Sequence, residues 1–281
     1  MRRYTPTGGW PLRRRLLQRA PRRALTFDQA IAAAGNGDGP GTLLRTHGRR
    51  TDRAVLLLHG YTHSPRQVAA LAELFYEGGC TVYAPTAPRH GTAEPGAHRG
   101  FTAAQLLRYA GEALDVAAAL GEEVGVVGVS AGAALATWLG AHRGDQVARL
   151  LLITPLFAPH AGRVPAALLR PLTTLYGLRL PPDRVNERGY SFTAVAQYLR
   201  VAANLPAAPV TGALRHVAVV TSPGDTVVDA TRAEAVPAWL AAAAGATFVH
   251  DVLPAGEGHA HNVIGEHASA LNERYLRLYQ G

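Results

Sequence analysis

Apolar positions along this chain fall into two patterns, short unbroken runs and longer stripes that recur every three or four residues. Residues 54–58, 124–129, 147–153 and 216–221 are almost wholly apolar, as strands buried on both faces of a sheet must be. Residues 42–47, 81–84 and 246–253 read as further strands, and residues 49–53 as a polar turn. Helical spacing fills the gaps. Val68, Leu71, Ala72 and Phe75 share one side of 65–77, and Leu106, Leu107, Ala110, Leu114, Ala117 and Leu120 form a stripe along 103–120. Helices are also expected over 25–34 and 131–141, after the strand 216–221, and from about Asn262 after the last strand. Such alternation predicts the α/β class, a mostly parallel central sheet flanked by helices on both faces. One segment, about 157–212, breaks the rhythm. It has several Pro and short apolar patches but no strong strand, and it predicts a helical cap inserted between two sheet strands.

Charge divides the chain differently. All 28 basic residues are Arg; eight lie in residues 1–25, which hold no acid, and the other 20 match the 20 Asp and Glu. The net charge of +8 therefore belongs to an arm, and residues 26–281 form a near-neutral single domain. Coulomb attraction would let the arm touch anionic lipid or nucleic acid, but blocks of like charge favour a solvated, disordered segment, and no specific nucleic-acid partner is expected. Arg13 to Arg15 are followed by only Leu16 and Leu17 before polar residues resume, so the apolar core of an export signal is missing. With one cysteine, Cys80, no intramolecular disulfide can form, and a reducing cytoplasm is the expected setting. Cys80 sits in a strand-like run and reads as a buried, inert thiol. The Gly-rich run 35–41 lacks a preceding strand and a following Lys, so it reads as a flexible turn, not a phosphate loop.

Candidate chemistry gathers where expected strands end. Gly128-Val129-Ser130-Ala131-Gly132 spans a strand-to-helix junction. A nucleophilic serine needs such a place: a sharp turn, small neighbours, and a helix N-terminus beside it. A hydroxyl also needs a base, and the base an orienting acid. Asp225 follows the strand 216–221; its rival Asp229 precedes Ala230-Thr231-Arg232 and reads better as a helix N-cap. Two histidines compete after the last strand. His261 is favoured because it directly precedes the expected helix at Asn262, whereas His259 lies deeper in a Gly-rich loop. A metal cluster of His259, His261, Glu266 and His267 would leave Ser130 and Asp225 without a role, so no metal or cofactor is expected. His59-Gly60-Tyr61 follows the strand 54–58, and there the backbone N–H groups of Tyr61 and Ala131 could form an oxyanion hole, with His59 bracing the loop.

The order Ser130, Asp225, His261, with His59-Gly60 upstream, resembles the α/β-hydrolase superfamily. His59-Gly60-Tyr61-Thr62-His63-Ser64-Pro65, Pro85-Thr86-Ala87-Pro88-Arg89-His90-Gly91, Ser222-Pro223-Gly224-Asp225-Thr226-Val227-Val228 and His261-Asn262-Val263-Ile264 are similar to motifs of its bacterial carboxylesterase and monoacylglycerol-lipase-like branch. His63 and Ala133 depart from that pattern, which often has Gly at both positions. The resemblance implies an α/β-hydrolase fold and a serine hydrolase that cleaves small-molecule carboxylic esters with an apolar acyl or alcohol group. The same triad would equally serve a thioesterase, acyltransferase or peptidase, and the fold also hosts non-catalytic binding proteins.

Overall fold

The computed structural model describes Tyr4 and residues 22–35, 41–90, 96–187 and 189–281; the side chains of Glu266 and His267 are outside that description. Most of the Arg-rich arm and residues 36–40 of the Gly-rich run therefore lie outside the described residues. The arm's described end meets the body. Arg22 pairs with Asp145 through both guanidinium nitrogens, at 2.5 and 2.8 Å, and Tyr4 stands edge-on to Trp239.

Among the described residues seven strands form one sheet: β1 (Leu43–Arg45), β2 (Thr51–Leu58), β3 (Thr81–Ala84), β4 (Gly121–Val129), β5 (Val147–Ile153), β6 (His216–Thr221) and β7 (Thr247–Val252). Their spatial order is β1-β3-β2-β4-β5-β6-β7, and every pairing is parallel except the antiparallel β1–β3 edge. Among the described residues the α-helices are α1 (Phe27–Gly35), α2 (Ala69–Glu77), α3 (Ala103–Leu120), α4 (Ala131–His142), α5 (Ala166–Gly177), α6 (Phe192–Ala202), α7 (Ala230–Ala244) and α8 (Asn272–Gln280). They divide the core into two layers. One is packed by α3, α4 and α6 and includes Leu106, Leu114 and Leu139; the other holds Leu71, Phe75 and Tyr275 from α2 and α8. Cys80 is buried in the second layer, and burial pushes its thiol pKa up.

Two expectations need correction. β2 begins at Thr51, inside the expected polar turn, and β4 begins at Gly121, because Thr51 and Arg53 pair with Gly121 and Glu123. These polar first residues carry ladder hydrogen bonds that hydropathy does not register. No helix starts at Asn262 either. The chain runs irregularly to Gly265, whose φ of 122° and ψ of −173° no helix admits; a 3₁₀ segment (Glu266–Leu271) follows, and α8 begins only at Asn272.

The expected cap is present as α5 and α6 between β5 and β6. Its entry is stitched to the loop after β6 by an antiparallel bridge of Pro159 to Val228, made by two hydrogen bonds: His160 N–H donates to Val227 O and Asp229 N–H to Ala158 O, both at 2.9 Å. No helix among the described residues is long and apolar enough to cross a membrane.

Candidate active site

Ser130 stands between β4 and α4 at φ 51° and ψ −111°, a backbone conformation that L-residues rarely adopt. Its neighbours explain how it is held. A Cβ on Gly128 would come within 2.5 Å of Ala133 Cα, and one on Gly132 would strike the carbonyl oxygen of Leu58. Glycine at both positions lets α4 start directly against the ends of β2 and β4. The turn is then pinned by its own backbone: Ser130 N–H donates to Ile153 O at 2.8 Å, and Ser130 O accepts from Leu156 N–H at 3.0 Å and Ala133 N–H at 3.1 Å.

Three side chains from three strand ends converge here. Ser130 Oγ lies 2.8 Å from His261 Nε2, and His261 Nδ1 lies 2.7 Å from Asp225 Oδ2. The other carboxylate oxygen of Asp225 accepts from the N–H groups of Val227 (2.7 Å) and Val228 (3.2 Å), which fixes its plane in a buried position. Asp229 is separate and caps α7 by accepting from Arg232 N–H at 2.8 Å. His259 turns away, with Nε2 on the carboxylate of Glu257 at 2.7 Å. The two histidine rings thus have different carboxylate partners. Among the described residues no group of three or more His, Cys, Asp and Glu is placed to hold a metal ion.

Because no helix begins beside His261, other contacts hold its loop. Thr154 Oγ1 donates to His261 O at 3.2 Å, Tyr275 hydroxyl donates to Val263 O at 2.7 Å, and Val263 and Ile264 are buried. Ser222 Oγ donates to the carbonyl of His259. None of these partners is near His261 in sequence, so no local pattern points to them.

The loop after β2 approaches Ser130 from the other side; a Cβ on Gly60 would stand 3.6 Å from Ser130 Cβ. His59 braces this loop as expected, with Nδ1 on Gly60 O at 2.9 Å and Nε2 accepting from Ala87 N–H at 3.0 Å. Burial, aided by the neighbouring His90, lowers its pKa to about 3, so the ring stays neutral. Gln67 is a brace that the sequence did not reveal. Its Oε1 accepts from Gly60 N–H at 2.8 Å and its Nε2 reaches Asn262 Oδ1 at 3.4 Å, linking this loop to the residue after His261. The N–H groups of Gly60 and His63 are taken by Gln67 and by Gly60 O, whereas no hydrogen bond among the described residues uses that of Tyr61. Ala131 N–H opens α4, where a helix offers it no acceptor.

These groups face a cavity of about 520 Å³. Its far walls come from the cap and include Val164, Leu169, Leu172, Tyr176, Val195 and Leu199; His63 lines it near Tyr61. The Tyr61 ring ties loop to cap. It is buried beside Tyr190 and Tyr198, and its hydroxyl, pushed up to about 12 by burial, accepts from Ser191 N–H at 3.3 Å.

Residues 55–274 match the model of the alpha/beta hydrolase family, and the chain belongs to that family. The superfamily resemblance of its motifs is thereby borne out. Solved structures alike in fold include one described with the two metagenome-derived lipolytic enzymes LipS and LipT, at TM-score 0.65 and 20% identity over 86% of this chain and 98% of that one. The monoglyceride lipase of Saccharomyces cerevisiae aligns at TM-score 0.61 and 14% identity over 85% and 89% of the two chains. A Paleococcus ferrophilus monoacylglycerol lipase gives TM-score 0.61 and 13% identity over 86% and 99%. No protein of curated function matches in sequence.

Proposed function

We propose that this protein is a serine hydrolase that cleaves small-molecule carboxylic esters with an apolar acyl or alcohol group, through an acyl-enzyme on Ser130. The observation that carries the reading is the unbroken path from Ser130 Oγ to His261 to Asp225, with links of 2.8 and 2.7 Å, opening into an apolar cavity. His261 Nε2 takes the hydroxyl proton as Ser130 Oγ attacks the ester carbonyl. The N–H groups of Tyr61 and Ala131 stabilise the oxyanion; losing one such donor typically costs ~3 kcal/mol of transition-state energy. Collapse of the tetrahedral adduct breaks the bond to the alcohol, which leaves with the proton from His261. Water then attacks the acyl-serine and gives its proton to His261; collapse of this second adduct releases the acid as His261 returns that proton to Ser130 Oγ. Asp225 holds the imidazole with Nδ1–H toward itself and stabilises the imidazolium. The chemistry calls on no metal or cofactor.

Labelling with a fluorophosphonate probe tests this directly. Wild type should be labelled and Ser130→Ala should not; retained labelling in that variant would remove Ser130 from the role. Hydrolysis of p-nitrophenyl butyrate should fall by roughly 10⁴-fold or more in Ser130→Ala and His261→Ala, while His259→Ala stays near wild type. Equal activity in His261→Ala and wild type would transfer the base role elsewhere.

A further inference from the structure

The cavity beside Ser130 is lined mainly by apolar side chains, but one arginine, Arg163, stands among them at the entry to the cap. Among the described residues no Asp or Glu lines the cavity, and no carboxylate lies within ion-pair distance of Arg163. Arg163 is nevertheless held. Its Nε donates to Thr226 O at 2.5 Å, next to Asp225, and its N–H closes a turn onto His160 O at 2.8 Å. A guanidinium carries five N–H donors in a planar fork. With Nε engaged, the side chain is oriented while its two terminal nitrogens keep donors for a ligand.

The wider charge distribution points the same way. Residues 157–212 hold six Arg and two acids, whereas the rest of residues 26–281 hold 14 Arg and 18 acids. The cap segment therefore carries a net positive charge, and such a charge favours anionic ligands nearby. A mostly apolar pocket with one fixed cation suits a ligand with an apolar middle and one anionic end.

We propose that Arg163 is a specificity determinant that binds a carboxylate at the end of the substrate remote from the reacting ester. The preferred substrates are then half-esters of medium-length dicarboxylic acids, or esters whose alcohol part bears the carboxylate. This rests on the hydrolase reading above and names its substrate class.

The test compares mono-p-nitrophenyl adipate with its neutral methyl ester, p-nitrophenyl methyl adipate, and p-nitrophenyl suberate with its methyl ester, each corrected for uncatalysed hydrolysis. A second arm compares 6-(butyryloxy)hexanoate with its methyl ester and places the charge on the alcohol side. In at least one arm wild type should favour the anionic ester in kcat/KM by about tenfold or more, as a charge-assisted hydrogen bond allows. That preference should shrink with added NaCl. Arg163→Gln should lower the anionic-to-neutral ratio about tenfold, chiefly through KM, and Arg163→Lys should keep part of it. A wild-type ratio at or below one in both arms overturns the proposal. So does an Arg163→Gln variant in which both esters slow equally, because that marks Arg163 as a strut for Thr226. Should Arg163→Gln fail to fold, the wild-type ratio, its salt dependence and Arg163→Lys decide the matter. Neutral esters hydrolysed without a charge preference sink this inference alone. Absence of both hydrolysis and fluorophosphonate labelling sinks the underlying reading with it.

Discussion

Ser130 occupies a backbone region that costs of order 1–3 kcal/mol, and it stays there because Gly128 and Gly132 let α4 close onto β2 and β4. Gly132→Ala forces a Cβ into the Leu58 carbonyl, which is backbone and cannot rotate away. The variant should lose ~1–3 kcal/mol or more of stability and react slowly with fluorophosphonate; wild-type melting and labelling rate would contradict this packing. His59 and His90 make a second prediction at this scale. Burial is the main cause that lowers their pKa values, to about 3 and about 4, from the ordinary 6.5. The unfolded chain therefore takes up protons first as pH falls. Their contribution to stability is complete above pH ~6.5 and is lost toward pH 4 and 3, by at most ~1.4 kcal/mol per pH unit for each histidine. Urea unfolding followed between pH 6.5 and 5 should show this slope, and His59→Gln should flatten part of it; a level wild-type profile would refute it.

Elements were legible where hydrophobic spacing was strong. The strands at 81–84, 147–153 and 216–221 and the helix 103–120 have the expected bounds, because each is buried along its whole length or one full face. The polar starts of β2 and β4 and the irregular chain after His261 were not legible, since ladder pairing and the conformation of Gly265 leave no mark in hydropathy. The candidate site was legible in kind but not in support. Ser130, Asp225 and His261 follow their strands within motifs, whereas Gln67, Thr154 and Tyr275 act across long sequence separations. Gln67 offers a test of that support. Removing its acceptor in Gln67→Ala frees the loop that carries Tyr61 N–H, and kcat for p-nitrophenyl butyrate should drop roughly tenfold with little change in KM. A rise in KM alone would assign Gln67 to substrate binding instead. On the cap, Val195→Trp fills part of the cavity wall, so kcat/KM should fall much more for octanoate than for acetate esters; equal losses would place the acyl chain elsewhere.

For the molecule as a whole, two ion pairs on α3 and the α4–β5 corner differ sharply in weight. Arg143 and Asp115 are 6% and 2% exposed and 2.5 Å apart, and Asp115 also accepts from Arg23 N–H. Asp115→Ala strands a buried cation and should cost ~3–5 kcal/mol in urea unfolding. Asp145→Ala breaks only the exposed Arg22 pair and should cost under ~1 kcal/mol. Similar losses in both variants would mean that the arm's docking, not burial, sets the cost.

The seam between Pro159–His160 and Val227–Asp229 bears on how the cap could be exchanged among relatives. Two backbone hydrogen bonds and the Arg163–Thr226 bond sew the cap's first residues to the loop that presents Asp225. A transplant cut at residue 157 alone would import one side of this seam without its counterpart and tilt the Asp225 carboxylate. Residues 157–164 and 222–229 therefore have to move together in any graft of this cap, although about sixty positions of chain separate them. The transplantable unit in this protein is the cap together with the acid loop.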